Sequence, residues 1–182
     1  ALAGVTALPA LAQSGASPAT PESKPAVSAQ SSPQSQDNPF FADSTLPLHY
    51  PQFDRIEDAD FAPAFDAGMA EQLKEVEAIA NNAEAPTFEN TIVALEKSGR
   101  TLDRATTVFF NLVGTDTNDT REKLRSDYSP KFSEHRDAIY LDPKLFARIK
   151  TLHDKRAGLG LDTAGVRLVV RYYEDFVRSG AN

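Results

Sequence analysis

The stretch PTFENTIVALEKSGRTLDRATTVFFNLVG, residues 86–114, decides the fold. Phe88, Ile92, Leu95, Gly99, Leu102, Thr106, Phe109 and Val113 follow one another at alternating steps of four and three, which sets one position per turn on a single helical face. Thr87 is placed to cap the start, Glu89 lies in the positively polarised first turn, and Asn90 can complete a capping-box contact. The spacing predicts one amphipathic rod of about 27 residues, more than twice the mean length of about 11–12 for a globular helix. Gly99 lies on the stripe itself, where a missing side chain would let a neighbouring helix approach closely. The alternative is that Gly99 breaks the rod into two helices.

Outward from this rod the helical pattern continues. A helix is expected over residues 61–80, with Asp60 as N-cap, Pro63 in its first turn, and Phe61, Phe65, Met69, Leu73, Val76 and Ile79 on one face. Another is expected over residues 119–140, with Leu124, Tyr128, Phe132, His135 and Ile139 facing inward and Pro130 kinking it. Asp142 and Pro143 open a further helix that buries Leu145, Phe146, Ile149 and Leu152. AGLGLD breaks it, and Asp162 caps a last helix with Val166, Val169, Val170, Tyr173, Phe176 and Val177 on its inner stripe, ending at Ser179 and Gly180. No strand-like alternation competes. The fold class is all-α, an array of antiparallel helices that includes one long amphipathic helix.

The first fifth of the 182 residues reads differently. Residues 1–12, ALAGVTALPALA, are small and apolar, and Ala10 and Ala12 suit the positions a signal peptidase reads before its cut. They fall far short of the roughly 20 apolar residues that a bilayer span needs. They are expected to be part of a signal peptide cut after Ala12, which implies a periplasmic or otherwise exported protein. Residues 13–38 hold no aromatic residue and only Val27 among the large apolar ones, so they are expected to form a disordered linker. The helical domain is then 39–182. With no cysteine in the chain, neither a disulfide framework nor a lipoprotein anchor is available. Residues 39–182 carry 18 Lys and Arg against 24 Asp and Glu, without a basic cluster, which argues against nucleic acid as a partner.

Chemistry-bearing patterns are missing from this stretch. A zinc hydrolase helix needs two histidines four apart with a glutamate after the first, and His49, His135 and His153 have no such neighbours. His135 and His153 are expected to be satisfied, partly buried histidines. There is no cysteine nucleophile and no G-x-S-x-G. Acidic pairs such as Asp58 with Asp60 and Glu75 with Glu77 read as caps or solvated helix faces. TDTNDT, residues 115–120, has a calcium-loop composition without the required glycine and terminal glutamate, so a plain turn between helices is expected. No catalytic, cofactor-binding or metal-binding residue is assigned.

The segments NPFF, LPLHYPQFDRI, PAFDAGM, PTFENTIVALEKSG, VFFNL, IYLDPKLFARI and YYEDFVRSGAN follow one another in an order and spacing that resembles the N-terminal region of bacterial peptidyl-dipeptidases, within the thimet oligopeptidase family of zinc metallopeptidases. The resemblance runs from Asn38 to the end. It implies a longer, mostly helical parent that removes C-terminal dipeptides from oligopeptide substrates. Its zinc, H-E-x-x-H helix and third glutamate ligand would lie beyond this chain, so no catalytic position carries over. This segment would supply part of the channel wall, with the catalytic half of the parent as its partner, and should be inactive alone. Without the resemblance, a self-contained helical module that binds a peptide or protein fits the same helices, although no repeat of about 34 or 40 residues is found.

Overall fold

The computed structural model describes residues 38–181, and the expected signal peptide and linker fall outside them except at Asn38. The described residues are helical and contain no strand. Helix α1 is Asp58–Ala80. A widened π-helical turn, Phe88–Val93, continues as the short α2, Ala94–Lys97. Then come α3, Arg100–Thr115, α4, Asp119–Tyr140, α5, Pro143–Lys155, and α6, Thr163–Ser179. Ahead of α1, the chain makes two single-turn 3-10 helices, Pro39–Phe41 and Pro47–His49.

The start of α1 lies three residues before the expected one. Glu57, not Asp60, occupies the cap position, and the Asp60 carboxylate reaches back to accept the Glu57 N–H at 2.8 Å. In an acidic run such as EDAD the cap and the third helical position carry the same residue type, so either assignment satisfies an orphan N–H. Leu73, expected inside, is 37% exposed, and Val177 at the end of α6 is 45% exposed. Thr87, Asn118, Asp142 and Asp162 each cap their helices with a side-chain oxygen, and α4 runs through Pro130 with no residue outside the helix.

The long rod is not one helix. Ser98 is extended, Gly99 takes φ 71° in the left-handed region, and α3 starts afresh at Arg100. Two cores explain the break. Ile92 and Leu95 pack with Val76, Ile79, Leu145 and Ile149, whereas Ala105, Val108 and Phe109 pack with Phe61, Phe65 and Tyr128. A straight helix would carry one face past both; the break lets α3 turn its own. After Gly99 the fully buried line is Thr101, Ala105, Val108 and Phe109, one position earlier than the expected Leu102 and Thr106. Phe109 is common to both lines, and Leu102 and Val113 pack half-buried against the same core, so the buried face is shifted around the helix from the expected one.

The kink is held from α1. The Gly99 N–H donates to the Glu75 carboxylate at 2.7 Å, and a Cβ on Gly99 would come within 2.4 Å of the Gln72 side chain. The close helix approach expected at Gly99 occurs instead at Gly68, where an added Cβ would lie 2.7 Å from the Leu102 backbone nitrogen. Leu102 is in α3, so at Gly68 the backbones of α1 and α3 come into close contact. Gly99→Ala should therefore lose about 1–2 kcal/mol in urea unfolding, from left-handed strain and the Gln72 clash. Gly114→Ala, in the last turn of α3 with nothing within 4 Å of its Cβ, should be neutral or gain up to about 1 kcal/mol from helix propensity.

Candidate functional site

Three polar side chains hold the elements together from buried or half-buried positions. The first is Arg148 in α5, which is 7% exposed. Its Nη1 donates to the carbonyls of Asn82 and Glu84 at 2.9 and 3.0 Å, its Nη2 to Asn90 Oδ1 at 2.9 Å, and its Nε to Thr91 Oγ1 at 3.3 Å. Asn90 Oδ1 also accepts from the Thr87 N–H at 2.8 Å and the Thr91 hydroxyl at 2.9 Å. Burial lowers the Arg148 pKa and Glu84 pushes it back up. The guanidinium stitches the connection after α1 and the first turn of the π-helix to α5. Sequence reading passed over it, yet a signal was there: Arg148 stands three after Leu145 and four before Leu152, on the apolar stripe itself.

The second is Arg104 in α3. Its Nε and Nη2 donate to the Phe40 carbonyl at 3.3 and 2.9 Å, and its Nη1 meets Asp43 at 2.5 Å. With Asn38 Nδ2 on the Asp60 carbonyl at 2.8 Å, it fastens the entry segment over α1 and α3. A concavity lined by Phe40, His49, Ile56, Arg104 and Val108 lies under that segment. Its only cation is already committed to the Phe40 carbonyl and Asp43.

The third is His135 in α4, 9% exposed. Its Nε2 is 2.7 Å from Gln72 Oε1, but its Nδ1 is buried without a partner, so the histidine expected to be satisfied is only half so. Burial lowers its pKa. It borders an open groove with Gln72, Gly99, Leu102, Phe110 and Phe132, beside the kink. His153 stacks on Tyr173 with ring centroids 3.9 Å apart, and His49 Nδ1 lies 2.9 Å from the Ser44 carbonyl oxygen. The three histidines sit in different elements with separate partners. Among the described residues no group of three His, Cys, Asp or Glu side chains could hold a metal ion. The residues present do not fit the zinc that the family resemblance implies.

Asp58 is a structural acceptor, taking Arg121 Nε at 2.6 Å and Asn118 Nδ2 at 2.7 Å, which joins the starts of α1 and α4. TDTNDT is the turn that feeds Asn118 into its capping role. Ser44 and His49 both line the concavity under the entry segment, but the Ser44 hydroxyl donates to the Tyr50 carbonyl and His49 Nδ1 faces the Ser44 carbonyl oxygen, so the two are not paired as nucleophile and base.

Two measurements probe these groups. Arg148→Met leaves two carbonyls and two side-chain oxygens without their donor and should cost on the order of 3 kcal/mol in urea unfolding, with Arg148→Lys losing less. For His135 the folded pKa lies below the unfolded one, so the unfolded state binds the extra proton and stability falls as pH drops below about 6.5 toward the folded pKa. Urea midpoints at about pH 7.5 and about pH 5.5 should differ more in the unaltered protein than in His135→Gln, which cannot take up that proton.

No family model matches the chain. It is 44% identical over 144 residues to a dipeptidyl carboxypeptidase of Escherichia coli strain K12, and 42% identical over 144 residues to a dipeptidyl carboxypeptidase of Salmonella typhimurium strain LT2. In each case the match covers 79% of this chain and 21% of the relative. The chain thus spans about a fifth of the length of the curated relatives it matches. At that identity the chain is a homologue of one region of the bacterial dipeptidyl carboxypeptidases.

Proposed function

We propose that this chain is a non-catalytic part of a longer, exported zinc metallopeptidase of the thimet oligopeptidase family that releases dipeptides from the C-terminal ends of oligopeptides. The observation that carries the reading is the 44% identity to a dipeptidyl carboxypeptidase over 144 residues of this chain, together with buried polar groups that are committed to holding helices. The contribution of this segment is shape. Helices clamped at Asp58, Gly99 and Arg148 make a stiff wall, and a wall beside a channel admits an unfolded peptide while excluding a folded protein. Residues outside this segment would hold the zinc and perform the hydrolysis. Export rests on the small apolar opening ALAGVTALPALA, residues 1–12.

The reading is tested on the gene and then on the protein. The frame should continue past Asn182 to an H-E-x-x-H and a later glutamate. The complete product should release C-terminal dipeptides from an N-terminally blocked peptide and lose that activity to a chelator, while residues 1–182 alone release none. A stop codon at that point, or a continuation without the histidine pair, overturns the proposal. So does turnover by residues 1–182 that survives replacement of His49, His135 and His153.

A further inference from the structure

Large apolar side chains left in water are unevenly spread. Of nine among the described residues, five fall within residues 41–53: Phe41, Leu46, Leu48, Tyr50 and Phe53. Leu48 is 97% exposed and Tyr50 62%. Single exposed apolar residues need no explanation, but a cluster of this kind marks a contact surface.

The loop is built to hold them out. Leu48 and His49 have φ of 57° and 55°, in the left-handed region that residues with a Cβ avoid. Ser44 braces this backbone: its hydroxyl donates to the Tyr50 carbonyl at 2.6 Å and accepts the Leu46 N–H at 3.2 Å, while its own carbonyl faces His49 Nδ1 at 2.9 Å. The N–H groups of His49 and Tyr50 turn inward to the carbonyls of Leu46 and Pro47 at 3.0 and 3.2 Å. Tyr50 and Phe53 meet edge to face with centroids 5.9 Å apart. Just before the loop, Arg104 pins Phe40 and Asp43 to α3. The N–H groups of Leu46, His49 and Tyr50 and the carbonyls of Ser44, Leu46, Pro47 and Tyr50 are bonded within the loop, and Leu48 is what it presents.

Three kinds of surface could cover such a tip, and its chemistry favours one. Residues 41–60 hold Asp43, Asp54, Glu57, Asp58 and Asp60 against Arg55; Arg104 and Arg121 pair with Asp43 and Asp58, and Asp54, Glu57 and Asp60 remain as an acidic excess that would repel anionic lipid headgroups. A protruding knob is not self-complementary, and a stable pair of copies needs about 1,200–2,000 Å² of matched surface. The curated relatives, by contrast, are some five times longer than the matched region, and that length has to pack somewhere. We propose that residues 41–53 form a docking knob, with Leu48 and Tyr50 inserting into an apolar pocket, rimmed by Lys or Arg, on the polypeptide that follows Asn182 in the longer protein. This inference rests on reading the chain as part of such a peptidase.

Leu48→Cys gives residues 1–182 a single thiol, since the chain has no cysteine. In that chain a thiol reagent should label it at the rate seen in urea. In the complete product, with the unaltered protein as the baseline, labelling should slow by at least about tenfold. Leu48→Asp should leave the melting temperature of residues 1–182 unchanged and lower that of the complete product. Equal labelling in both, with the frame continuing to its histidine pair, overturns the docking knob and leaves the peptidase reading standing. Concentration-dependent protection of residues 1–182 alone points to a second copy, and protection by anionic vesicles to a membrane surface; either overturns the proposal. A frame that stops at Asn182 overturns both readings together.

Discussion

The hydrogen bond from the Gly99 N–H to the Glu75 carboxylate organises the described fold. It satisfies a donor at the start of α3 and fixes a left-handed residue where the apolar spacing would otherwise run on as one helix. Everything on either side depends on the turn it holds. Upstream, Ile92 and Leu95 enter a core with α5 and α6; downstream, Ala105 and Phe109 enter another with Phe61 and Phe65. Helices α1 and α4 run through both cores, contributing Phe65 and Tyr128 to one and Val76 and Ile139 to the other. A straight rod on the same sequence would leave one of its two buried lines in water.

Arg148 plays the matching part at the other end. The chain between α1 and the π-helical turn offers carbonyls that no helix satisfies, and a buried carbonyl without a donor is costly. One guanidinium, with five N–H groups in a rigid fork, reaches the carbonyls of Asn82 and Glu84 and the side chains of Asn90 and Thr91 together. A lysine has the charge without the fork. The widened turn brings Asn90 and Thr91 side by side onto that fork, so the unusual helix opening and the buried cation are one arrangement.

Helix type and extent were legible in the sequence because caps and periodicity are local. Thr87, Asp142 and Asp162 cap by hydrogen bonds to residues two or three away, and no distant contact is needed to foresee them. The break at Gly99 was not legible as the favoured outcome, because the four-three rhythm continues through it. The reason to bend is the existence of a second core, and that is set by Phe61 and Tyr128, which are remote in the chain. Gly68 was hidden for the same cause: its role is defined by the backbone of Leu102, 34 positions away. For the candidate site, the scattered histidines were readable from spacing, whereas the half-satisfied state of His135 depends on what α1 brings against it.

Catalysis and scaffolding ask opposite things of buried polar groups. A catalytic acid or base must be free to change its proton or its partner in an accessible cleft, which is why such groups show perturbed titration beside a concave surface. Arg104, Arg121 and Arg148 each bind two or more acceptors in other turns or helices, and although Arg104 lines the concavity under the entry segment its guanidinium is held by the Phe40 carbonyl and Asp43. Among the buried side-chain nitrogens and oxygens of the described residues, His135 Nδ1 is without a partner, and burial lowers the pKa of its ring. The ring borders the groove beside Gly99, and the consequence of its titration is a fold stability that depends on pH.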